Sequence, residues 1–178
     1  MTNKINTKKR GFTLVETLVA ISVLSMAVLG TFTAVQSSLQ KSIYAKNQIT
    51  AFYLVQEIME YVRNVRDENA IKGIGTDWLH GLSEVSGDPC YFGKICKFDM
   101  TATNIVTECG TNGVGTCPVL KQDPSTSLFN YTSGENTKFT REVMFDNITV
   151  GKEIMVTVTI SWDGKSLQVK QLFTNNRL

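Results

Sequence analysis

From Thr17 to Gln40 the chain carries no charged residue, and from Thr17 to Val35 it is mostly apolar on every side. Nineteen residues in a helix span roughly 28 Å, the thickness of a bilayer's hydrocarbon core. Farther on, the apolar positions become periodic. Phe52, Val55, Ile58 or Met59, Val62 and Val65 recur at steps of three and four, with Lys46, Gln48, Glu57, Glu60, Arg63 and Arg66 among the positions between them. No proline or glycine interrupts residues 31–72, and the first strong stop is Gly73 with Gly75. A lone glycine inside a helix costs only about 1 kcal/mol, so Gly30 does not divide the segment. The pattern predicts one helix from about Phe12 to Asp67, roughly 84 Å long. Its first half is apolar all round, and its second half has one apolar face that other structure must cover.

The period changes to two near the C-terminus. Phe139, Arg141, Val143 and Phe145 alternate with Thr140, Glu142, Met144 and Asp146. Ile154, Val156, Val158, Ile160 and Trp162 alternate with Met155, Thr157, Thr159 and Ser161, and Asp163-Gly164 then makes a tight hairpin turn. Leu167, Val169, Gln171 and Phe173 continue on a third strand. This predicts an antiparallel meander with one apolar face, placed against the helical stripe of residues 52–65. Between helix and meander, residues 68–136 read as a long irregular region rich in Gly, Asn, Ser and Thr, holding all three prolines. Lys94 to Met100 and Ser127 to Tyr131 are the two short strand candidates there. Fold class is therefore α+β.

Charge and cysteine placement bear on compartment. The net charge is +2, but four of the 18 basic residues (Lys4, Lys8, Lys9 and Arg10) lie in residues 1–11, which hold no acid; beyond them 14 basic face 16 acidic residues. The basicity belongs to the leader, and charge gives no argument for direct nucleic-acid binding. Cys90, Cys96, Cys109 and Cys117 are the four cysteines. An even, clustered set after an export-like start suggests two disulfides in an oxidising compartment, in any of three pairings. Each bond would contribute about 2–4 kcal/mol. The intervals do not match C-x-x-C zinc spacing, so no metal is expected.

The basic cluster directly before the apolar run places the N-terminus in the cytoplasm and the rest of the chain on the other side. Glu16 is the anomaly, since a carboxylate in a membrane helix costs about 2.5–3.5 kcal/mol on insertion scales. A secretory signal peptide cleaved near Ser25 and Ala27 leaves Glu16 in its apolar core and ignores the apolar residues that follow. A plain anchor gives Glu16 no role. Cleavage after Gly11 explains it: Phe12 becomes a free N-terminus, and its α-amino group on a neighbouring subunit becomes the partner of Glu16.

Lys9-Arg10-Gly11-Phe12-Thr13-Leu14-Val15-Glu16 resembles the class III leader and first residues of type IV prepilins and type II secretion pseudopilins. The resemblance implies a pilin fold, a long N-terminal helix packed on a small C-terminal antiparallel β-sheet. It implies a dedicated prepilin peptidase that cuts between Gly11 and Phe12 and N-methylates Phe12, with Glu16 as the assembly residue. Partners implied are that peptidase, other pilin or pseudopilin subunits met through the N-terminal helix, the inner-membrane assembly platform and membrane lipid. Phe139-Thr140-Arg141 and the Trp162 hairpin resemble minor pseudopilins of the I type and V-type minor pilins. The absence of a proline around Gly30 to Thr33 and the long central region also lean towards a minor subunit, which primes assembly or sits at the tip.

Expected boundaries are a cleaved leader at 1–11, a transmembrane assembly segment at 12–38 and an extracytoplasmic domain at 39–178. Within that domain fall an amphipathic helix at 39–67, the cysteine-containing region at 68–136 and the meander at 137–175. The expected location is the cytoplasmic (inner) membrane, crossed once, with assembly into a pilus or pseudopilus. No catalytic constellation is present: His80 is the only histidine, expected in a loop, and no G-x-S-x-G, H-E-x-x-H or phosphate-binding glycine loop occurs. Asp88, Asp99 and Asp123 form no calcium loop motif and read as solvated turn residues. No cofactor is expected. A different class remains in view, a monomeric membrane-anchored binding domain, which would need neither Gly11 nor Glu16.

Overall fold

The computed structural model describes residues 11–73, 78–83, 86–111 and 116–175. Leader residues Lys8, Lys9 and Arg10, and Gly75 of the expected helix stop, lie outside them. One helix, α1 (Leu14–Ile71), is followed by β1 (Lys94–Phe98), β2 (Val106–Thr111), β3 (Val119–Gln122), β4 (Phe129–Asn130), β5 (Glu135–Thr149), β6 (Glu153–Trp162) and β7 (Lys165–Thr174). This is an α+β, pilin-like arrangement. The chain divides into two compact units, residues 1–45 and 46–178.

The first unit is the N-terminal stretch of α1. It runs unbroken through Gly30, and its side chains are exposed throughout the described residues. Several of its hydroxyls bond to its own backbone. Those of Thr17, Ser22, Ser25, Thr31 and Thr33 each donate to a backbone carbonyl three or four residues back, at 2.8–2.9 Å. Such back-bonding makes polar residues compatible with a hydrocarbon surround.

In the second unit the helix meets the sheet. Ala51, Leu54, Val55, Ile58, Met59 and Val62 are its buried apolar positions. Phe52, expected in the stripe, is 51% exposed. The stripe turns on Ala51, Leu54 and Ile58, and Phe52 stands about 100° around the helix from Ala51. The helix also runs past the expected Asp67 to Ile71, where Gly73 (φ +70°) ends it in the left-handed conformation that Gly adopts cheaply. Glu68 and Lys72 form an i,i+4 ion pair over this last turn.

All seven strands form one antiparallel sheet built around β5. β6 lines one side of β5, and β7 pairs with β6; on the other side β1 pairs near Val143 and β3 nearer Glu135, with β2 and β4 outside them. Strands β5, β6 and β7 form an antiparallel meander, with Phe139, Val143, Phe145, Ile154, Val156, Val158, Ile160, Trp162 and Phe173 all buried. The region 68–136 differs from its sequence reading. It contains four strands, and Trp78, Leu79, Leu82, Phe98 and Leu120 are among the most buried side chains of the protein. Asn69 fastens the 78–83 segment to the helix end, its Nδ2 donating to the Trp78 and His80 carbonyls. At the β4–β5 turn, Gly134 (φ +98°) packs so closely that a Cβ would stand 2.2 Å from the Gln122 carbonyl oxygen.

Two contacts orient the helix and sheet of this unit. Arg141 reaches the Leu54 carbonyl, whereas the Arg66 guanidinium lies over the Phe173 ring, which is paired through Ile154 to Asn147. β5 therefore runs in the same direction as the helix beside it. The β6–β7 turn lies at the end of the unit where Lys46 begins, and the β5–β6 turn lies at the Ile71 end.

Candidate functional site

Thr13 starts α1. Its hydroxyl accepts a hydrogen bond from the Glu16 backbone N–H (3.3 Å), and its carbonyl receives the Thr17 N–H (3.2 Å). Thr13-x-x-Glu16 is thus a capping-box sequence, with Glu16 at the third helical position. A carboxylate there also faces the positive end of the helix dipole. The signal for this cap, Thr three residues before Glu at the start of an apolar run, is present in the sequence.

Just upstream, Phe12 is 80% exposed. A Cβ built on Gly11 meets nothing within 4 Å, and the residue has no positive φ. Nothing in the described fold crowds a side chain at position 11. Downstream, α1 is the one helix among the described residues that is long and apolar enough to cross a bilayer. Glu16 is the only ionisable residue between Leu14 and Val35.

Gly11, Phe12 and the capped Glu16 are thus consecutive features of an exposed, apolar helix start. Residues 6–32 match the family described as the prokaryotic N-terminal methylation motif. The match supports a type IV pilin-like prepilin. No curated protein and no solved structure gives a significant match to the chain. Pilin-type proteins with this motif are structural, and the motif implies in general a prepilin peptidase and other pilin subunits as partners. The leader and the long apolar helix fit a membrane-anchored, pilus-assembled protein.

The chain's four cysteines fall into two pairs at disulfide distance, Cys90–Cys96 (Cα–Cα 5.4 Å) and Cys109–Cys117 (Cα–Cα 5.2 Å). The first pair is fully buried in the core beside β1. The second joins β2 to the approach of β3, with Cys109 partly exposed and the Cys117 N–H donating to Glu142 at 3.4 Å.

A polar cluster missed in the sequence lies between helix and sheet. Arg141, fully buried, pairs with Glu57 and donates to the carbonyls of Leu54 and Phe98. Beside it Asp99 accepts hydrogen bonds from the Thr101 N–H and hydroxyl and from the Tyr131 N–H. The Tyr131 hydroxyl donates in turn to the Arg141 carbonyl. Burial alone would raise the Asp99 carboxyl, but those hydrogen bonds and the Arg141 charge hold it below the ordinary carboxylate value. Burial pushes the Tyr131 phenol up, against the pull of Arg141. The available signal was Arg141 itself, a charge in phase with Phe139, Val143 and Phe145.

Asp99 is consequently a buried structural residue and not the solvated one expected from its turn context. Asp123 does sit exposed, its carboxylate closing a turn over Ser125 and Thr126. His80 has an exposed side chain. Among the described residues no three His, Cys, Asp or Glu side chains gather as a metal site.

Proposed function

We propose that this chain is a minor pilin or pseudopilin, a non-enzymatic subunit held in the inner membrane until it is assembled through its N-terminal helix. The observation that carries the reading is one continuous helix that begins in the methylation motif, leaves its apolar run uncovered and then packs under an antiparallel sheet. A fully exposed apolar helix needs hydrocarbon or other helices around it. In this reading Lys8, Lys9 and Arg10 hold the N-terminus in the cytoplasm, and the second unit stands on the opposite side. A prepilin peptidase cuts between Gly11 and Phe12 and the new amine is methylated. The subunit then joins a type IV pilus or type II secretion pseudopilus, priming assembly or occupying the tip.

The N-terminus of the membrane-extracted protein from a host with the peptidase tests this directly. Mass spectrometry should find a mature chain beginning at Phe12 and carrying one added methyl group. A chain beginning near Val28 would mean a cleaved secretory signal. An intact leader in a peptidase-competent host would leave a monomeric membrane-anchored binding domain.

The cysteine pairs add a second expectation. In the exported protein both should be oxidised, each closing a short loop and contributing about 2 kcal/mol. Alkylation without reductant should label no thiol. Graded reductant should open Cys109–Cys117 first, because Cys109 is partly exposed while Cys90 and Cys96 are sealed in the core. Labelling of four thiols in the native exported protein would remove the disulfide assignment.

A further inference from the structure

We draw no further inference here: the strongest candidate, the exposed apolar patch of Ile49, Phe52 and Tyr53 on α1 within the second unit, belongs to the helix already proposed to carry subunit assembly, and nothing in the structure shows what else would cover it.

Discussion

Glu16→Gln should insert, be cleaved after Gly11 and then fail to enter filaments, its incorporation falling at least tenfold. The choice of glutamine follows from the geometry at the helix start. Because Thr13 caps the helix and Glu16 occupies the third position, Glu16→Ala would remove both a charge and the side-chain type that a capping-box sequence places there. Glutamine keeps the capping chemistry and removes only the charge. If the carboxylate answers the Phe12 amine of a neighbouring subunit, Glu16→Gln and Glu16→Ala fail alike. If its role is only to start the helix, an effect of about 0.3–1 kcal/mol, Glu16→Gln assembles like the parent. Immunoblots of membranes and of sheared filaments read processing and incorporation separately. Gly11→Leu should stop earlier, as uncut precursor in the membrane.

The second large effect lies inside the domain. Arg141→Ala should lower stability by about 3–5 kcal/mol, the cost of breaking a buried charge pair by removing one partner. It strands the Phe98 carbonyl, removes the link to Leu54 and leaves Glu57 facing a void. Glu57→Ala should cost less, about 1.5–3 kcal/mol, because the Glu57 side chain is 35% exposed and water can take its place beside the guanidinium. Urea unfolding of the full chain in detergent, followed by near-UV circular dichroism, measures both. An Arg141→Ala protein within about 1 kcal/mol of the parent, less than the usual cost of an unmet buried hydrogen bond, would show that the cluster adds nothing to the packing around it.

What could be read from the chain depended on how far apart the interacting residues lie. Helix α1 and strands β5 to β7 announce themselves through local periodicity, which a window of ten to twenty residues contains. β2 and β3 do not. Val106–Thr111 and Val119–Gln122 are short, hold Gly, Cys and Lys, and owe their extended state to β1 and β5 beside them. The burial of Trp78, Leu79 and Leu82 was hidden for a similar reason, since a turn-rich composition says nothing about what packs over it. Arg141 was visible as an oddity on an apolar face, but its partner Glu57 is 84 residues away and could not be named. At the N-terminus the reverse holds. Gly11, Phe12, Thr13 and Glu16 lie within six residues, so the leader motif was legible, whereas the Thr13-x-x-Glu16 capping sequence was passed over there.

The place of β5 at the centre of the sheet has a consequence for a chain delivered from its N-terminus. β1 and β3 both take β5 as their partner, and the helix is fastened to it by a hydrogen bond spanning 87 residues, Arg141 to Leu54. Until residues 135–149 emerge, the buried stripe of α1 has no sheet to lie on and four upstream strands have no axis. Only local closures can form ahead of it: the disulfide loops Cys90–Cys96 and Cys109–Cys117 and the β1–β2 and β3–β4 pairs. The helix is complete when the chain is less than half made, but the domain waits for its last quarter, and all of its long-range closures arrive together. A chain stalled before β5 is a membrane helix trailing an unsorted tail, with its apolar stripe open to whatever chaperone or protease stands at the membrane face.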